Sequence, residues 1–308
     1  MRHVPVLLTE VVDGLDLKLG ARVVDCTLGD GGHSEAILAK IGPKGKLLGI
    51  DADPESLMRA KQYLYNFNGQ SIFVRDNFVN LAKILQENKF ISVDAILMDL
   101  GWSSPQFSER GRGFSFQQDE PLDMQYAPPV IPAKAGMAGK TASAIVNESS
   151  EAELAKIFKS YGEEKFFKEI TRAIIAKRQI AKIERTSQLV AIILQVYREK
   201  LHTDKEIPWT GGTHPATQVF QALRIAVNDE LGVLKSVLPQ AVESLATNGR
   251  LAVITFHSLE DRIVKQYFQK ENCKILKVIN KKPIEASAEE VKNNPRSRSA
   301  KLRIVEKL

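Results

Sequence analysis

Residues 22 to 53, RVVDCTLGDGGHSEAILAKIGPKGKLLGIDAD, constrain the fold more than any other stretch of the 308-residue chain. A short β-rich run ends in Asp25 and leads into a loop carrying Gly29, Gly31 and Gly32. A helical segment follows, then a second apolar run ending in Asp51. Strand, glycine loop, helix and strand make one βαβ half of a nucleotide-binding sheet, so an α/β fold is expected. Glycine lets the backbone turn tightly and lie against a ligand, because a Cβ at the turn blocks both. Asp51, 20 residues past Gly31, stands where a carboxylate can accept hydrogen bonds from both hydroxyls of a ribose. Together these residues describe a pocket for an adenosine-containing cofactor.

A dinucleotide pocket offers G-x-G-x-x-G and a bare helix N-terminus to a pyrophosphate. Here the loop reads G-D-G-G-H, with Asp25 before it and Asp30 within it. Extra carboxylates repel a pyrophosphate but attract the ammonium and sulfonium of S-adenosylmethionine, so the methyl donor is favoured over NAD. A glycine-rich turn with no ligand is the third reading.

The length allows one large domain or two modest ones. With 43 Lys and Arg against 37 Asp and Glu, the net charge of +6 permits a polyanionic partner without requiring one. Cys26 and Cys273 form no C-x-x-C pair and the five histidines no H-E-x-x-H, so neither a disulfide framework nor a metal site is expected. The start, MRHVPVLLTE, lacks a signal-peptide apolar core, and no apolar run approaches the ~18 residues of a membrane span. A reduced, soluble, cytoplasmic protein is the expectation.

Along the chain, PVLLTEVVDGL predicts a short helix over the sheet. Asp53 before Pro54 suits a helix N-cap, which leaves Asp51 as the ligand candidate. Strand three, SIFVRD, ends at Asp76-Asn77-Phe78, where Phe78 either borders the adenine or is core. Strand four, SVDAILMDL, delivers Asp99 and then G-W-S-S-P-Q to the carboxyl end of the sheet, facing the glycine loop. From there to about residue 215 the αβ rhythm stops, and helices are expected near 151–160, 163–182 and 187–200. The expected organisation is therefore residues 1–105 and 216–308 as the two parts of the sheet domain, with 106–215 inserted as a helical domain. Lys165, Lys168 and Arg172 make a basic stripe that reads either as a solvated face or as a phosphate contact. Beyond it, Pro239 should break or kink a long helical run, and strand five is RLAVITF. Ser258 and Asp261 have capping-box spacing, and CKILKVIN with KLRIVEKL suits an antiparallel pair at the sheet edge.

DCTLGDGGHS, GIDADP, DLGWSSPQ, RGFSF with PLDM, YGEEKFF, HPAT with FQALRI, FHSLEDR and NPRSRSAKLR stand in one order along the chain. In that order and spacing the chain, from His3 to about Leu302, resembles the MraW (RsmH) family of ribosomal RNA small-subunit cytosine-N4 methyltransferases. The resemblance implies a Rossmann-like class I S-adenosylmethionine methyltransferase sheet with an inserted helical domain for substrate and RNA recognition. It implies methylation of a cytidine in the decoding region of 16S ribosomal RNA, with the small ribosomal subunit as partner. The motifs assign cofactor contact to Gly31, Gly32, His33, Asp51, Phe78, Asp99 and Gln106; His33, opening a helix, can also be read as a cap. Trp102 and Gln125 depart from the family pattern, and residues 127–143 match no clear part of it.

A cytosine amine is a poor nucleophile because its lone pair is drawn into the ring. Acceptors on its N–H groups would hold it in line with the methyl and stabilise the developing positive charge. Asp99 with the Ser103 and Ser104 turn is the expected catalytic set. Trp102, Phe114 and Phe116 can stack on an extruded base or be core. Arg110, Arg112, Arg296 and Arg298 are the candidate phosphate contacts. An amino-methyltransferase on another nucleic acid and a non-catalytic or weakly catalytic cofactor-binding ribosome assembly factor are the competing readings, and monomer or homodimer is left open.

Overall fold

The computed structural model describes residues 4–100, 111–126, 139–203 and 214–308. In chain order, α1 (Leu8–Gly14), β1 (Arg22–Asp25), α2 (Gly32–Ile41), β2 (Lys46–Asp51), α3 (Pro54–Tyr63), β3 (Ser71–Arg75), α4 (Leu81–Glu87) and β4 (Val93–Asp99) come first. Helices α5 (Ala142–Glu148), α6 (Glu151–Gly162), α7 (Phe167–Arg178), α8 (Thr186–Leu201) and α9 (Thr217–Asn228) follow. Then come α10 (Glu230–Ser244), β5 (Leu245–Thr255), α11 (Ser258–Glu271), β6 (Leu276–Val278), β7 (Ile284–Glu285), α12 (Ala288–Asn293) and β8 (Lys301–Lys307). They divide into two compact units, one of Met1–Ser103 with Leu231–Leu308 and one of Ser104–Glu230.

The first unit holds one eight-stranded sheet of order β3-β2-β1-β4-β5-β8-β6, with β7 also on β8. The first five of these strands pair in parallel, and β8 runs antiparallel to β5, β6 and β7. Side chains alternate across a strand, which sorts the sheet residues into two cores. Val24, Leu48, Ile96 and Val253 pack in one with Leu234, Leu238 and Phe268. Val23, Leu47, Ala95, Leu97 and Ile254 pack in the other with Ile37, Leu38 and Ile41 of α2. Both faces are covered, which is why these strands read as nearly unbroken apolar runs.

The expected cap at Asp53 is present, its carboxylate accepting from the backbone N–H groups of Glu55 and Ser56. The cap of α11 is displaced by one residue from the expected frame. His257 holds the cap position, and Glu260 reaches back to accept from the N–H groups of Phe256 (2.9 Å) and His257 (3.3 Å). Asp261 is unavailable for that role because it receives Arg303 of β8, with Nε at 2.6 Å and Nη2 at 3.0 Å. Pro239 lies inside α10 without ending it, and the break falls at Asp229, in left-handed backbone with φ of 48°.

In the second unit the five helices enclose their own core, with Leu154, Phe158, Ile170, Ile174, Leu189, Ile193, Val219 and Leu223 at its centre. Helix α9 contributes Val219, Phe220 and Leu223 to that core, so this unit closes at Glu230 and not near residue 215. The expected helix 163–182 is shorter, Phe167–Arg178. Glu163 stops α6 in left-handed backbone, and the Glu164 carboxylate turns inward to accept the Phe166 N–H at 2.8 Å. Among the described residues no helix is long and apolar enough to cross a membrane.

Candidate functional site

Three neighbouring parallel strands of the first unit, β2, β1 and β4, end in aspartates. Asp25 pairs in register with Gly49 on one side and Leu97 on the other, so Asp51 and Asp99 stand two residues further along, flanking it. The chain leaves β1 toward β2 on one side and reaches β4 on the other. That is the topological switch point, where open α/β sheets bind ligands.

Each aspartate has a different environment. Asp25 is buried, accepting from the Ser34 hydroxyl at 2.7 Å and from the Thr27 N–H at 3.0 Å. Burial raises its pKa, against the pull of Ser34 and His33. Asp51 accepts from the Gly29 N–H on Oδ2 and from the Asp53 N–H on Oδ1, both at 2.8 Å, which ties the glycine loop to β2 and to the start of α3. Burial pushes its carboxyl up to about 6, outweighing those two hydrogen bonds. A carboxylate offers about four acceptor positions, so the two used here leave others for hydroxyl donors. Asp99 is anchored through its backbone, its N–H donating to the Thr27 hydroxyl at 2.7 Å.

His33 links this row to the N-terminal segment. Its ring is buried, with Nε2 2.9 Å from the Val6 carbonyl and Nδ1 3.7 Å from Asp99 Oδ2. A carbonyl only accepts, so Nε2 carries the proton and Nδ1 faces Asp99. The helix cap is Gly31 and not His33. Gly31 has φ of 78°, and a Cβ there would stand 3.0 Å from Leu64 Cδ1, while one on Gly32 would stand 2.7 Å from Pro5 Cγ. Both glycines are thus demanded by the protein's own packing as well as by the turn.

Other expected residues are placed differently. Asp30 pairs with Arg59 at 2.9 Å, which compensates the charge expected to repel a pyrophosphate. Phe78 opens a short turn, Phe78–Asn80, and is half-buried, with part of its ring against the core layer. Arg296 and Arg298 are exposed on the short helix Pro295–Ser299. In the second unit, Arg112 donates to the carbonyls of Gln125 (3.2 Å) and Tyr126 (3.0 Å), fastening its loop. Phe114 stacks on Tyr126 and Phe116 on His214, with centroids 5.8 Å and 4.6 Å apart. Trp102, Ser103, Ser104, Gln106 and Arg110 lie outside the described residues. Sequence reasoning did not single out Thr27, whose hydroxyl joins the β1 exit to Asp99; the D-x-T spacing after an apolar run was its only signal.

The donor set fits a cationic adenosine ligand. Three aspartates at one strand edge make a negative field that suits an ammonium and a sulfonium, and Asp51 has acceptor capacity for a ribose. The sequence matches the MraW methylase family over residues 1–308. It is 44% identical to a ribosomal RNA small subunit methyltransferase H from Dehalococcoides mccartyi, covering 99% of this chain and 86% of that one. It is 42% identical to the protein of that name from Heliobacterium modesticaldum, covering 99% and 98%, and 43% identical to one from Clostridium botulinum, covering 100% and 99%. The chain therefore belongs to the MraW methylase family, and is a methyltransferase with a Rossmann-like class I sheet whose methyl donor is S-adenosylmethionine.

Proposed function

We propose that this methyltransferase methylates N4 of a cytidine in the decoding region of 16S ribosomal RNA, acting in the cytoplasm on the small ribosomal subunit or its RNA. The observation that carries the reading is identity of 42% to 44% along nearly the whole chain to relatives named for small-subunit ribosomal RNA methylation. The cytosine amine as acceptor is supported by Asp99 and the D-L-G-W-S-S-P stretch, whose serines follow strand four in the sequence.

S-adenosylmethionine supplies an electrophilic methyl on a sulfonium. In this reading Asp51 accepts from the ribose hydroxyls, Gly31, Gly32 and His33 line the loop side, and Phe78 and Gln106 complete the cofactor contacts. Asp99 accepts an N–H of the cytosine amine, draws the nitrogen toward tetrahedral geometry and offsets its developing charge. Ser103 and Ser104 supply further acceptors. No strong base is needed beforehand, because the proton becomes acidic once the nitrogen carries the methyl. The helical unit recognises RNA, and Arg110, Arg112, Arg296 and Arg298 contact phosphates.

The test is transfer from labelled S-adenosylmethionine to purified small subunits lacking the modification, with nucleosides analysed by mass spectrometry. One new N4-methylcytidine is expected. No incorporation into subunits or naked ribosomal RNA, despite tight cofactor binding, would overturn the reading.

A further inference from the structure

The YGEEKFF stretch between α6 and α7 is a built elbow in the second unit. A Cβ on Gly162 would stand 2.5 Å from the Gln218 carbonyl, and Glu163 takes left-handed backbone with φ of 51°. Glu164, 2% exposed, accepts the Phe166 N–H and, through both carboxylate oxygens, the Tyr197 hydroxyl at 3.1 Å. This buried carboxylate fixes where the next residues emerge.

What emerges is a set of exposed ammonium groups held against rings. Lys165 Nζ lies 4.7 Å from the Phe166 centroid and 5.5 Å from that of Tyr197. Lys159 and Lys168, from two different helices, converge on Phe167 at 5.6 Å and 5.9 Å. Nearby cations are already paired, Arg172 with Glu151 at 3.5 Å and Lys200 with Glu169 at 2.7 Å. The three lysines have no ion-pair partner among the described residues. Glu163 is the exposed acidic neighbour on the elbow.

We propose that this elbow grips the phosphate backbone of single-stranded RNA through Lys159, Lys165 and Lys168, the rings of Phe166, Phe167 and Tyr197 holding the ammonium groups in place. The proposal rests on the reading of the protein as an RNA methyltransferase and states where the substrate's backbone is held. Ammonium groups resting on rings lose less freedom when a phosphate arrives than lysines free in solvent. The half-exposed Phe166 and Phe167 also offer edges and faces on which unstacked bases can rest.

The test is anisotropy of a labelled single-stranded oligonucleotide of small-subunit ribosomal RNA with the full chain over a range of salt. Lys159→Gln/Lys165→Gln/Lys168→Gln is compared with Lys44→Gln/Lys83→Gln/Lys235→Gln, which removes the same charge from exposed sites elsewhere. Three lost contacts should reduce the slope of log K against log salt by about 2 in the elbow variant and leave it unchanged in the control. Phe167→Leu, which keeps every charge, should weaken RNA binding by about threefold. Equal slopes in the two triple variants would overturn the elbow proposal alone if the wild type still methylates small-subunit RNA. A wild type that neither binds nor methylates RNA would overturn the functional reading with it. Loss of binding to phosphatidylglycerol vesicles with RNA binding intact would assign the surface to a membrane and overturn the proposal.

Discussion

His33 Nδ1 faces Asp99 Oδ2 across 3.7 Å while Nε2 is held by the Val6 carbonyl. With the proton fixed on Nε2, the ring turns a lone pair toward the carboxylate. Asp99 therefore receives no hydrogen bond from His33 in the neutral state. Asp99→Asn should fold normally and lose at least about 100-fold in single-turnover methyl transfer at saturating cofactor. A near-normal rate would remove Asp99 from the chemistry.

As the proposed ribose acceptor, Asp51 should make cofactor affinity depend on pH. Its carboxyl is pushed up to about 6 by burial, and a ribose needs the ionised acceptor. Affinity for S-adenosylmethionine should rise about tenfold per pH unit up to about 6 and level off above it. Asp51→Asn should bind weakly without this dependence, as titration calorimetry from pH 5 to about 8 would show. In the ligand-free protein the sign is opposite. The folded state holds this proton more tightly than the unfolded chain, so the contribution to stability is full below 3.8 and is lost as pH rises through about 6.

Gly31→Ala combines two penalties. Left-handed backbone costs an alanine about 1–2 kcal/mol, and its Cβ meets Leu64 Cδ1 at 3.0 Å. Denaturant unfolding should show the summed loss, with cofactor affinity reduced. Adding Leu64→Ala removes the contact but not the backbone strain, and opens a cavity of its own. The double variant should therefore not recover wild-type stability.

Arg303 is buried and its partner Asp261 half-buried, and neither can be removed singly. Asp261→Ala leaves a guanidinium without its partner inside the sheet and should cost about 3–5 kcal/mol. Asp261→Leu/Arg303→Met should be more stable than either single change, measured by urea unfolding.

Charge removal at Arg296 and Arg298 should weaken RNA binding and flatten its salt dependence by about 1.4 in slope if each contacts one phosphate of a single strand. An unchanged slope would remove both residues from the RNA contacts.

Much of the sheet was legible because buried parallel strands announce themselves as apolar runs, and Asp25, Asp51 and Asp99 close three of them. The cap at Asp53 was legible because N-cap chemistry is local. Long-range partners were not. Asp261 was read as half of a capping box because nothing in FHSLEDR says that Arg303, 42 residues later, will claim it. The carbonyls of Gln125 and Tyr126 that Arg112 Nη1 reaches lie 13 and 14 residues along a Gly-rich loop, and no local pattern announces them. Asp30 read as an uncompensated charge because Arg59 lies a helix away in sequence. The carboxylates around the glycine loop pointed to the cofactor, but the tautomer of His33 depended on Val6, a contact that no motif contains.

The register of Asp99 with Ile254 joins strands separated by residues 100–244. During synthesis β1 to β4 emerge well before β5, so the open edge of β4 waits while an entire helical unit is made. An unpaired parallel edge is a template for pairing with another nascent chain. The helical unit has its own core and can be completed in that interval, whereas the sheet closes only when β5 docks and β8 covers it. Of the strands in this sheet the last to be made is thus the one that seals it, and a ribosome that stops short of β8 releases a chain with the outer edge of β5 exposed.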